Sequence, residues 1–152
     1  MIKINLMFSK ATEYALRATI YIAQTTTEDN KCSIDDIARA IDSPVSFTAK
    51  ILQTLRRDNK VIRSVPGPNG GFYITDKCRN KPVRAVLDVM GEGEVLEKCV
   101  LGLNKCSGTN PCPMHNQYKE IKEQLIELFD SRTIQDLADD INKGGKFLKS
   151  RT

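Results

Sequence analysis

The residues best equipped for chemistry are three thiols and the chain's single imidazole, arranged as Cys99-x6-Cys106-x5-Cys112-Pro113-Met114-His115. Thiolates and imidazoles are the ligands of zinc and of iron–sulfur clusters. A zinc knuckle usually sets its cysteine pairs about two to four residues apart. Here the thiols are wider apart, on a glycine-containing loop that can wrap something larger than one ion. The spacing therefore favours a cluster over a single metal ion. Redox-active thiols without metal, or free cysteines beside a helix-capping histidine, are the competing readings. A Cys–His nucleophile would need Cys112 and His115 in one helical turn and a third, orienting group. No such group is visible and two thiols would stand idle, so the chain does not read as an enzyme. Cys32 and Cys78 are isolated and read as structural or incidental.

The 152-residue chain is 40% apolar and 28% charged, which fits one folded domain and excludes a disordered or collagen-like chain. No apolar run reaches the ~18–20 residues of a membrane span. The start, Met1 to Met7, is too short and polar for a signal peptide, so the expected compartment is the cytoplasm. An odd count of five cysteines in such a chain argues against a disulfide framework. The net charge of +4 hides an asymmetry. Residues 43–81 hold eight Lys/Arg against two Asp, and residues 84–140 hold six against eleven Asp/Glu. A basic middle suits a polyanion; an acidic rear does not.

These groups need elements to position them. Residues 8–25 lack Gly and Pro and carry apolar residues on more than one face, which predicts a buried helix. Ser33 caps a short helix containing Ile34, Ile37, Ala38 and Ile41, with Asp36 completing a variant capping box. Ser43 reads as the next N-cap and Pro44 as the first helical residue. That helix, expected over 45–58, has Phe47, Thr48, Ile51, Leu52 and Leu55 on one side, and Asn59 suits a left-handed cap. Strands are expected at 61–65 and 72–75, with the Asn69-Gly70 step supplying positive φ in the turn. Helix–turn–helix followed by a hairpin is a winged helix.

A short helix over 82–91 ended by Gly91 follows, then an irregular stretch over 92–113. Loops of that length are often functional. A long helix over 114–130, striped by Tyr118, Ile121, Leu125, Leu128 and Phe129, needs a partner face and suits a dimer seam. Thr133 and Asp136 start a last helix, Gly144-Gly145 ends it, and the basic tail 146–152 is expected to fray. The fold expected is mainly α. A DNA-binding unit spans 7–81, a linker helix and cysteine loop 82–113, and dimerisation helices 114–145. On the recognition helix, Ser46, Lys50 and Gln53 are placed for base or phosphate hydrogen bonds. Arg56, Arg57, Lys60 and Arg63 suit phosphates, and Asn69 and Gly70 form the wing tip. The rival reading is a metal- or thiol-dependent protein-interaction module without DNA binding.

The chain from Met7 to Gly145 resembles the bacterial iron–sulfur regulators typified by IscR and NsrR. The resemblance rests on Thr12-Glu13-Tyr14-Ala15-Leu16-Arg17, residues 43–55, Gly67-Pro68-Asn69-Gly70-Gly71-Phe72 and the three-cysteine loop. It implies a homodimeric winged-helix transcription factor on a double-stranded DNA operator, with each long helix crossing onto the partner. It also implies an iron–sulfur cluster that senses redox state, nitric oxide or iron–sulfur status and alters DNA affinity. Cys99, Cys106 and Cys112 match the cluster thiolates. His115 matches the fourth ligand of members holding [2Fe-2S], the form favoured here. Glu13 matches the acidic ligand that [4Fe-4S] members take from the partner subunit. The chain departs from the family pattern in three places. The first cysteine gap is one residue longer, Pro66 replaces a common wing arginine, and Ala49 replaces a common Glu or Gln.

Overall fold

The computed structural model describes residues 7–103 and 107–149. Helix α1 (Lys10–Thr25) is the central element. It starts at Lys10 because the Ser9 side chain accepts the Thr12 N–H. Ala15, Ala18 and Ile22 on it are fully buried. Helix α2 (Ile34–Ile41) is capped by Ser33, whose hydroxyl accepts the Asp36 N–H. It ends at Asp42, which is left-handed at φ 54°. Ser43 N–H then closes back on the Ala38 carbonyl at 2.9 Å. This closure takes up the orphan carbonyls of the last turn.

Helix α3 (Val45–Leu55) is capped by Pro44. The expectation of Ser43 as cap and Pro44 as first helical residue is corrected by one position, for the helix starts at Val45. Pro44 has ψ 142° and lies outside the helix, while its carbonyl accepts the Thr48 N–H at 2.9 Å and the Thr48 hydroxyl at 2.8 Å. The helix stops at Leu55, three residues short of the expectation. Asp58 and Asn59 are both left-handed, at φ 56° and 54°, and an α-helix cannot run through them.

Strands β1 (Arg63–Val65) and β2 (Gly71–Tyr73) pair antiparallel, with Ser64 opposite Phe72. Strand β1 starts later than expected, for the Ile62 N–H turns back to the Leu55 carbonyl at 3.5 Å; Val61 and Ile62 are fully buried and anchor the wing in the core. Positive φ falls on Gly67 (96°) and Gly71 (146°), not on the Asn69-Gly70 step. The connection is five residues long, with Gly70 N–H bonded to the Gly67 carbonyl at 3.0 Å. A two-residue turn would need positive φ at Asn-Gly; this longer one does not. Phe72 also exchanges backbone hydrogen bonds with Cys32 at 2.8 and 3.0 Å, so the wing is stitched to the segment before α2. A Cβ on Gly71 would meet the Cys32 carbonyl at 2.6 Å.

Helices α4 (Asp76–Arg79) and α5 (Arg84–Val89) lead to a 3-10 turn at Gly93–Leu96. Helix α6 (His115–Ser131) follows the cysteine loop, and α7 (Ile134–Asn142), capped by a full Thr133–Asp136 box, returns along α1. The core joins α1, α2 and α3 with Ile74, Val86, Ile134 and Ala138.

One basic residue of the middle segment does not face solvent. Arg79 is 14% exposed. Its guanidinium donates to the Ala23 carbonyl (2.9 Å), the Thr26 carbonyl (3.0 Å), the Ile74 carbonyl (3.2 Å) and Gln135 Oε1 (2.8 Å). It thereby ties the end of α1 to β2 and α7. Arg79→Ala would leave three carbonyls unpaired and is expected to cost about 3 kcal/mol in urea unfolding. Exposed Lys77→Ala should stay within about 0.5 kcal/mol of the unaltered protein. Equal effects would contradict the staple.

Candidate nucleic-acid interface and cysteine loop

The α3 residues that turn away from the core are exposed: Ser46, Lys50 and Gln53, followed by Arg56, Arg57 and Lys60. Arg63 and Asn69 on the wing are exposed too, and Gly70 is half-buried against Val65 and Pro66. Between helix and wing lies a cleft of about 400 Å³, lined by Ala49, Gln53, Arg56, Ser64, Pro66 and Phe72 among others. Arg56 reaches across to the Ser64 hydroxyl at 3.4 Å, which fixes the spacing of helix and strand. A helix and a basic hairpin held side by side can occupy a major groove and its flanking phosphates.

The cysteine loop is anchored at its near end. Leu96 is 1% exposed and Cys99 is 5% exposed. Arg84 binds Glu97 at 2.9 Å, Asp130 at 3.5 Å and Asp88 at 3.8 Å, joining α5, the loop and the end of α6. Lys122 donates to the Glu97 carbonyl at 3.4 Å. At the far end the Cys112 carbonyl accepts the His115 N–H at 3.0 Å, so Cys112 stands just ahead of α6. The two ends converge, for Cys112 lies close enough to the Cys99 thiol to help lower its pKa. The Cys99 thiol is held below the ordinary thiol range. The Leu101 N–H is the main cause; Cys112, the Leu103 N–H and the Lys122 charge add to it, against the pull of burial. Such a sulfur is prepared to carry thiolate charge.

Cys106 lies outside the described residues. Among the described residues no three of His, Cys, Asp and Glu gather as a metal-holding group. His115 is the first residue of α6, and Glu13 is exposed in the first turn of α1. Neither is assembled with the Cys99–Cys112 pair within one chain. Cys32 and Cys78 are buried. Burial, reinforced by Asp36, pushes the Cys32 thiol up to about 12, so it stays protonated and inert.

A contact with no sequence signal joins this loop to the DNA-binding unit. Glu92, at the loop's root, receives the Ser9 N–H on both carboxylate oxygens at 3.1 Å, and the Ser9 and Thr12 hydroxyls on Oε1. An anion here neutralises the positive end of α1. The next turns of α1 extend the connection to α3. Tyr14 meets Phe47 of α3 edge-on at 5.6 Å, and Arg17 covers the Tyr14 ring at 4.7 Å.

Helix–turn–helix, wing and basic recognition face together define a winged-helix transcription regulator. The profile of the Rrf2 family, described as an iron-dependent transcriptional regulator, matches residues 8–140, and the chain belongs to that family. A protein of Aquifex aeolicus (strain VF5) described as an HTH-type transcriptional regulator is 32% identical over 134 residues, 87% of this chain and 91% of that one. The regulator IscR of Yersinia pseudotuberculosis is 25% identical over 124 residues, 82% of this chain and 74% of its own. The same fold is seen in T. potens IscR (TM-score 0.68, 20% identity, 93% of each chain). It recurs in CymR, the global cysteine regulator of B. subtilis (TM-score 0.68, 19% identity, 92% of this chain and 98% of that one). No described helix is long and apolar enough to cross a membrane.

Glu92 gives a pH test. Burial alone would raise its carboxyl, but the hydrogen bonds from Ser9 and Thr12 outweigh it and hold the group below the usual carboxylate range. A depressed folded value stabilises fully above the unfolded pKa of about 4.3 and is lost as pH falls through the folded value. The stability gap between the unaltered protein and Glu92→Gln should be about 1 kcal/mol and constant above about pH 5, then shrink in acid. A gap that stayed constant through the acid range would contradict this role.

Proposed function

We propose that this regulator is a homodimer whose affinity for its DNA operator is set by an iron–sulfur cluster on Cys99, Cys106 and Cys112. The proposed signals are redox state, nitric oxide or iron–sulfur status. The observation that carries the reading is the meeting of Cys99 and Cys112, thirteen positions apart, with backbone N–H groups aimed at the Cys99 sulfur. Such donors offset the charge of a cluster-bound thiolate. His115 is the favoured fourth ligand, on a [2Fe-2S] cluster. Glu13 of a second subunit is the alternative, on a [4Fe-4S] cluster. When bound, the cluster supplies a centre that exchanges electrons and reacts with nitric oxide.

The chain's own residues do the rest. Lys122 and Arg84 hold the loop against α6 and α5. Glu92 links the loop to α1, and Tyr14 links α1 to α3. A change in loop shape thus has a packed route to the recognition helix. Ser46, Lys50 and Gln53 would meet base edges. Arg56, Arg57, Lys60 and Arg63, with the Asn69-Gly70 tip, would meet phosphates.

The dimer reading rests on α6. None of its residues is buried, and Ile121 and Leu128 are 54% and 52% exposed. Leu128 and Phe129 also border a wholly apolar groove with Leu16, Ile20, Val83 and Leu137. A second copy presents the same face and would cover both.

Anaerobically isolated protein should contain equal iron and acid-labile sulfide and absorb in the visible. Cys106→Ser should abolish both, and His115→Ala should shorten cluster lifetime more than Glu13→Ala. Iron-free protein, or a normal cluster in Cys106→Ser, would end the reading. Leu128→Glu alters a side chain the subunit itself leaves exposed, so it should halve the mass in light scattering and leave helical circular dichroism intact. A folded dimer in that variant would move the seam elsewhere.

A further inference from the structure

We infer that the C-terminal tail, docked beside Arg17, is a second cationic surface that binds DNA phosphates outside the reach of α3 and the wing. The inference rests on the DNA-binding function and extends its surface. Lys143, Lys146, Lys149 and Arg151 follow the last acidic residue, Asp140, and equal the whole net charge of +4. The remainder of the chain is balanced, so the long-range attraction of this protein for a polyanion owes much to the tail.

The described part of the tail lies against α1 and α2. Gly144 and Gly145 are left-handed, at φ 86° and 81°, and end α7. Phe147 and Leu148 then come to lie with Tyr21 and Gln24 of α1 and Ala40 of α2 around one depression. Leu148 and Lys149 share the next depression with Arg17. Leu148 is half-buried, whereas Lys146 and Lys149 are exposed. Leu148 thus seats the tail beside a Phe147 that is 55% exposed, and the ammonium groups stay in solvent. Lys146 lies 3.5 Å from Asp140, an exposed pair that holds it only weakly.

The tail's direction matters. From Ala40 it runs to Arg17, and Arg17 donates to the Ile41 carbonyl at 3.3 Å, at the end of α2. Arg17 also covers Tyr14, which touches Phe47 near the start of α3. The cations therefore approach the turn between the two helices, flanking the recognition helix on the side opposite the wing's attachment at its C-terminal end. A duplex carries a charge every ~1.7 Å along its axis, so cations on both flanks of a docked helix meet phosphates. The place of these cations beside the recognition helix points to nucleic acid rather than to an acidic protein.

The test uses full-length protein and a duplex of random sequence about 30 base pairs long, because phosphate binding does not depend on sequence. Affinity is measured by fluorescence anisotropy over a range of salt. Lys146→Ala/Lys149→Ala should bind several-fold more weakly near ~0.1 M salt and lower the log–log salt slope by about 0.9 for each phosphate no longer neutralised. Phe147→Ala/Leu148→Ala keeps every charge but unseats the tail, and should lower affinity as well. Lys50→Ala/Arg63→Ala, on the recognition face, should also weaken binding. If only that last variant weakens, the tail inference fails and the recognition face stands. A tail variant with lower affinity but an unchanged slope would show an effect through the fold and would equally overturn it, as would capture of an acidic protein with no change in DNA binding. If the unaltered protein does not bind the duplex, the inference and the DNA-binding reading beneath it both fall.

Discussion

The carboxylate of Glu92 at the N-terminus of α1 is the group on which the rest of the arrangement depends. It joins residues 83 positions apart and satisfies donors that a helix start would otherwise leave to water. Without it the cysteine loop would be tied to the DNA-binding unit only through the packing of α5. With it, the loop's root, the first helix and the recognition helix form one packed series through Ser9, Tyr14 and Phe47. Helix α1 is the natural carrier, since α2, α3, α5 and α7 all pack on it. A rigid central helix that is held at one end by the loop and at its middle by α3 can convert a local change in thiol geometry into a shift of the DNA-reading face.

The second constraint is the division between buried and exposed surface. The winged-helix half shares one core with α5 and α7, in which Ile37, Ile41, Leu52, Leu55 and Ile62 are wholly covered. Helix α6 fully buries none of its residues, and its stripe is the face proposed as the seam. The cysteine loop lies between these halves, anchored to α5 and α6 by Arg84 and to α1 by Glu92. Whatever the loop binds is therefore mechanically linked to both the recognition helix and the α6 face proposed as the seam.

Much of this was legible in the residues, because much of it is local. The cap residues Ser33 and Thr133 act within three positions of themselves, and apolar spacing alone located α1, α2, α3 and α6. Local rules failed at element boundaries. Ser43 does not cap α3 because the helix starts at Val45 and puts Pro44 at the cap position, and the Asn69-Gly70 step does not take its expected φ because the turn is longer. The long-range interactions left no pattern at all. Arg79 reads as one more surface cation until the distant Ala23 and Thr26 carbonyls meet it, and Glu92 reads as loop acid until α1 starts on it. The cysteine spacing showed which thiols to watch. That Cys99 and Cys112 meet required the fold of the loop.

The claim at the centre is that the state of the cysteine loop governs the affinity of α3 and the wing for DNA. The direct measurement compares one preparation before and after anaerobic removal of its cluster, on the same operator duplex at one salt concentration. The account predicts affinities that differ by at least about tenfold, a coupling of roughly 1.4 kcal/mol or more. Equal affinities for the two forms, with the cluster verified present in one and absent in the other, would contradict it.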